Sequence, residues 1–164
     1  MNTTSLCLRS LALLVGCVLA VPAGAQCTTI GSAAYWEVTW PGCVTPSVLI
    51  ASANPVLGTT ISLRTSNLPA STLVVATLFL LPPTLVTTPT TNLASYPLLG
   101  GCYNYLPNFD GVVLAVLPMG VADVYLSMPA NAWWLGKVVH CQSAVLSWTV
   151  DIEMSNAVCL HLGT

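Results

Sequence analysis

Two short segments near the end of the chain hold the side chains best suited to chemistry. His140-Cys141 and Cys159-Leu160-His161 offer four ligands of the kind that bind zinc or copper. In an extended chain, residues 140 and 141 point to opposite faces, whereas 159 and 161 share one. All four would meet only across a bulge. No methionine follows the last histidine, as a copper electron-transfer site would want. The expectation is two ordinary strand histidines beside buried or disulfide-bonded cysteines, with no metal and no cofactor.

Hydrolysis fares no better. A triad needs a nucleophile, a histidine base and an orienting acid. Only His140 and His161 could be the base, and no Gly-x-Ser-x-Gly elbow occurs. A glycosidase needs two carboxylates flanking the bond. The chain has Glu37, Asp110, Asp123, Asp151 and Glu153. Asp151 and Glu153 stand one residue apart near a turn, while Asp110 and Asp123 sit on separate loops or strands. Asn108 and Asp110 make a short acidic turn with no third carboxylate for calcium, which reads as an Asx-type turn. The inventory points away from an enzyme.

Aromatic residues give the best binding hypothesis. Trp133-Trp134 lie in Pro-Ala-Asn-Ala-Trp-Trp-Leu-Gly, ahead of a strand, and Trp36 and Trp40 flank Glu37 on another. Exposed Trp faces stack on sugar rings, which would suit a carbohydrate-binding module. Trp36 and Trp40 share a face at period 2, a spacing that a packed core also wants. Consecutive Trp133 and Trp134 do not both bury easily in an extended segment, so one is expected to be exposed.

The elements that must position these groups begin after an export signal. Arg9 precedes an apolar run from Leu11 to Val21; Pro22 breaks it, and Ala23-Gly24-Ala25 supplies a cleavage site. Leu14-Val15-Gly16-Cys17 resembles a lipoprotein box, but Arg9 would leave it an unusually short hydrophobic stretch. The run is also shorter than the ~20 residues of a spanning helix. Cleavage is therefore expected after Ala25, placing the protein outside the cell, in the periplasm or on the cell surface. Residues 26–164 then form a single domain. Their two cations, Arg64 and Lys137, against five anions give a net charge of −3. So few cations cannot neutralise a phosphate backbone, so nucleic acid is a poor partner. The longest apolar stretch, Leu73 to Val86, is interrupted by Pro82 and Pro83 and cannot span a bilayer as a helix. An unidentified protein or a polysaccharide is the expected partner.

Periodicity favours strands throughout. Ile61, Leu63 and Thr65 alternate with Ser62, Arg64 and Ser66, while Leu73 to Leu81 is apolar on both faces, as in a central strand. Turn residues recur at Trp40-Pro41-Gly42, Asn54-Pro55, Asn67-Leu68-Pro69, Gly100-Gly101 and Met128-Pro129. Strands are expected near 33–40, 46–52, 58–66, 72–81, 100–106, 111–117, 121–128, 136–150 and 154–163. The Pro- and Thr-rich stretch 82–99 reads as an extended surface loop, and no helix is expected after the signal. This rhythm fits an all-β, antiparallel sandwich of immunoglobulin-like or Greek-key type.

Four blocks carry a family likeness. The first runs from Gly42-Cys43 and Thr45-Pro46 through Asn54-Pro55-Val56-Leu57-Gly58 to Asn67-Leu68-Pro69. The others are Gly100-Gly101-Cys102-Tyr103, then Met128-Pro129-Ala130-Asn131 to Gly136 with Gln142, and Ser155-Asn156-Ala157 before the last strand. Together they resemble a small β-sandwich module of secreted planctomycete and myxobacterial proteins, over most of residues 42–163. This chain differs in being a lone module and in lacking Pro and Gly near Asp151. The resemblance implies a secreted, cysteine-bearing sandwich with no established activity. Of seven cysteines, Cys7 and Cys17 fall in the signal. Cys27, Cys43, Cys102, Cys141 and Cys159 remain, so at most two internal bridges form and one thiol is left over. Spacing alone leaves the pairing open; the two Gly-Cys sites of the family-like pattern imply Cys43–Cys102.

Overall fold

A computed structural model describes residues 32–40, 43, 47–81, 91–92, 103–106, 109–116, 118, 120–149 and 152–164. The expected export signal, Cys27 and Cys102 lie outside these residues. The described strands are β1 (Tyr35–Trp40), β2 (Val48–Ala51), β3 (Thr60–Ser66), β4 (Thr72–Leu80), β5 (Thr91–Asn92), β6 (Tyr103–Asn104), β7 (Gly111–Val116), β8 (Ala122–Ser127), β9 (Val138–Ser147) and β10 (Ile152–His161). All pair antiparallel. They form a five-stranded sheet in the order β1-β10-β9-β4-β7, a three-stranded sheet β2-β3-β8 and a small β5-β6 pair.

Alternation decides which residues meet. On β3, Ile61, Leu63 and Thr65 are buried and Arg64 faces outward. Arg64 stands directly opposite Asp123 on β8 and grips it with two hydrogen bonds, Nε to Oδ1 at 2.8 Å and Nη2 to Oδ2 at 2.9 Å. That grip lowers the Asp123 carboxyl below its usual range. Between the two larger sheets lies the main core. Leu49, Ala51, Ile61, Leu63 and Val124 come from one side; Phe79, Val139, Cys141, Val158 and Leu160 come from the other.

The five-stranded sheet is covered on its second face too. There Leu78, Leu80, Met154 and Ala157 pack with Cys43, Tyr105 and Leu106. The backbone N–H of Tyr105 donates to Gln142 Oε1 at 2.9 Å, fixing this cover to the middle of β9. Coverage on both sides explains why β10 is buried without a break from Met154 to His161. Alternation reads only one buried face, so it fails along such a strand.

A bulge ties the two sheets together. The β9–β10 register slips between Met154 and Ala157, releasing Ser155 and Asn156 from the ladder. Asn156 reaches β2 of the other sheet. Its Oδ1 accepts from the Leu49 N–H at 2.8 Å and its Nδ2 donates to the Leu49 carbonyl at 2.9 Å. Ser155 Oγ accepts from the Ser143 N–H at 2.8 Å, and Ser143 Oγ lies 2.8 Å from Thr65 Oγ1 and 3.1 Å from Thr77 Oγ1. Buried hydroxyls thus satisfy one another where the sheets meet.

The stretch 82–99 is not wholly loop, because Thr91–Asn92 pairs with Tyr103–Asn104. Such a two-residue ladder carries no periodicity to detect. One helical turn also occurs, a 3-10 helix over Ala132–Trp134 capped by Asn131, whose side chain accepts from the Trp133 N–H. The last strand begins at Ile152, so Ser155-Asn156-Ala157 lies inside it rather than ahead of it.

Candidate functional site

The outer face of the five-stranded sheet, away from the main core, holds both histidines, Cys159 and Glu37. Register partners fix its rows. Leu80, His140, Cys159 and Glu37 make one row; Val138, His161 and Tyr35 make the next. Cys141, one residue along, points the other way into the main core.

Within these rows the histidines are buried, and each is engaged. His161 Nε2 lies 2.9 Å from Glu37 Oε1, and its ring stacks on Tyr35 with centroids 3.9 Å apart and planes at 8°. His140 Nδ1 lies 3.6 Å from Cys159 Sγ. No group of three metal-ligating side chains occurs among the described residues. Glu37 and His161 form an acid–base pair of the sort a triad contains, but the histidine is nearly sealed from solvent. It therefore clamps the edge strand β1 to β10. Nothing in the sequence around Glu37, which lies among the tryptophans, marks this pairing, because it depends on the β1–β10 register.

Burial, reinforced by His161, lowers the His140 pKa from 6.5 to about 4. The folded protein then holds His140 neutral where the unfolded chain protonates it. Stability from this source is fully present above pH 6.5 and is lost as pH falls toward 4. The gap corresponds to about 3 kcal/mol. Urea unfolding should show wild type losing stability between pH 7 and pH 4.5, with a smaller loss in His140→Gln. Equal losses in the two proteins would remove His140 as the source.

The cysteines divide cleanly. Cys43 and Cys159 are disulfide-bonded, and Cys141 is the free thiol among the described residues. Burial pushes the Cys141 thiol above its usual range and leaves it unreactive in the native state. Cys43 sits over β10, donating its N–H to the Met154 carbonyl at 3.0 Å.

The tryptophans do not assemble. Trp36 and Trp134 pack against the main core. A register slip between Val38 and Trp40 interrupts the alternation that would put Trp36 and Trp40 on one face, and the Trp40 side chain lies outside the described residues. Trp133 is 58% exposed, edge-on to Trp134, with Lys137 Nζ 5.1 Å from its ring centre. Trp148 is 65% exposed but follows the far end of β9. Ten strand residues separate these two exposed rings, roughly 30 Å.

What the outer face does expose is apolar. Beyond the covered rows, Val116, Val74, Leu146 and Ile152 form a continuous row across four strands; in the row between, Leu114 is exposed while Met154 is buried and Ala76 and Ala144 pack against its cluster. Val112, Leu114 and Val116 of β7 are 45%, 60% and 65% exposed. No charged residue stands in either row. This surface was not singled out from the sequence, where 111–117 reads simply as one more strand.

Comparison with known proteins yields no family model that matches the chain and no significant match to a curated protein or a solved structure. Among the described residues, no helix is long and apolar enough to cross a membrane.

Proposed function

We propose that this chain is a secreted, non-catalytic interaction module, a β-sandwich that docks a protein partner on its apolar outer face. The carrying observation is the uncharged row Val116–Val74–Leu146–Ile152 beside Leu114 on the same face. Val116 and Ile152 at its ends are exposed and Val74 and Leu146 between them are half-buried, and exposed apolar surface of this kind marks docking sites. The buried histidines and the sealed Cys141 support a non-catalytic reading, since each is committed to packing. Export follows the signal described above, so the mature chain begins at Gln26, with Cys43 and Cys159 oxidised as that compartment allows. N-terminal sequencing of exported protein checks this; Cys17 as a lipid-modified first residue would overturn it.

A carbohydrate-binding module would want several exposed rings in one strip, and Trp133 and Trp148 stand too far apart to act together. The test is a pull-down with envelope and polysaccharide fractions. Capture of envelope protein should be lost with Ile152→Lys combined with Val74→Lys and kept with Trp133→Ala. Retention on polysaccharide that depends on Trp133 would favour the sugar-binding alternative instead.

A further inference from the structure

We infer that β7 is a self-association edge, at which a second copy of the chain pairs antiparallel to extend the five-stranded sheet. Among the described residues, β7 pairs only with β4, so its other side presents unpaired backbone N–H and C=O groups. Exposed sheet edges are ordinarily blunted by lysine, proline, inward charge or a bulge. Gly111-Val112-Val113-Leu114-Ala115-Val116 has none of these, and its pairing with β4 is regular throughout.

The strand's own sequence selects a second copy as the occupant. A two-fold axis normal to the sheet, passing midway between Leu114 of one copy and Leu114 of the other, keeps each residue opposite one of the same face. It sets Leu114 against Leu114, Val112 against Val116, and Val113 against Ala115. Every cross-strand pair is then apolar, and branched residues suit such pairs. No like charges oppose, and the pairing closes on itself as a two-fold dimer rather than growing into a fibre. The apolar rows of the two outer faces become one surface. The dimer thus extends the docking reading above without depending on the identity of the partner.

The experiment uses the exported protein. Light scattering after size exclusion, run from micromolar to hundreds of micromolar, should show a concentration-dependent dimer. Leu114 is exposed, so Leu114→Lys with Val112→Lys should fold normally. These changes set lysines against the opposing copy and should weaken the dimer about a hundredfold or more. In a separate variant, Leu114→Cys should oxidise to a covalent dimer on a non-reducing gel. Val113→Cys should not, because its counterpart lies diagonally across. A wild-type protein monomeric at every concentration overturns the inference, as does a dimer that survives the double lysine substitution. Ile152→Lys alone, three strands from β7, should leave the dimer intact. A wild-type protein that is monomeric yet captures its partner thus defeats self-association alone, while a wild-type dimer that captures no partner defeats the docking face.

Discussion

Replacing Cys43 with serine is expected to destabilise the exported protein by about 4 kcal/mol, the chain-entropy cost of reopening a loop of about 60 residues. That figure assumes the Cys43–Cys102 bridge, which neighbouring residues favour. Cys43 shares a buried cluster with Tyr105 and Leu106, and Cys102 stands three residues before Tyr105. Cys159 instead faces Glu37 on β1, and Cys27 precedes that strand. With Cys141 free, and Cys7 and Cys17 removed if the proposed signal is cleaved, Cys27 and Cys102 are the partners expected. The expected set is Cys43–Cys102 with Cys27–Cys159. Urea unfolding of Cys43→Ser paired with Cys102→Ser gives the energy, and peptide mapping without reductant gives the connectivity. A Cys27–Cys43 peptide would refute the assignment.

Asn156→Ala should be nearly as severe. The substitution strips partners from the Leu49 N–H and C=O, both at a position with no solvent access. An unsatisfied buried polar group costs about 1–3 kcal/mol, so the pair comes to about 4 kcal/mol. Thr60→Ala is the comparison. It removes only an exposed hydroxyl contact, 3.2 Å from Ser127 Oγ, and should cost less than about 0.5 kcal/mol. An Asn156→Ala loss below about 1 kcal/mol would mean that the two sheets hold together without this link.

These residues show which parts of the structure were legible in advance. Strands with one wet face announce themselves, as Ile61, Leu63 and Thr65 do against Arg64. The centrality of Leu73–Leu81 was equally plain, since an apolar run bounded by turn residues needs neighbours on both sides. β4 does lie between β9 and β7. What escaped depends on register across long separations. Glu37 meets His161 and Asn156 meets Leu49 only after the sheets have formed, and nothing local marks either pair. Asn156 within an apolar strand was nonetheless a usable sign, since a buried amide must find partners. The adjacent tryptophans were readable only in part: one of Trp133 and Trp134 is expected to be exposed, and the helical turn at Ala132–Trp134 decides which, sending Trp134 to the core and leaving Trp133 exposed.

The pairing of β1 with β10 also sets the timing of assembly. Residues 35–40 find their partner strand only at 157–161, after almost every other described element. A chain delivered N-terminus first, as in synthesis, therefore carries β1 without its ladder until β10 has emerged. Closing so long a loop adds only a modest entropic cost, but contacts of this span slow folding. The sheet cannot grow outward from its first strand as the chain is delivered. It must wait and close late, with apolar strands held open in the meantime, so the rate of delivery and the protection of the emerging chain bear directly on yield.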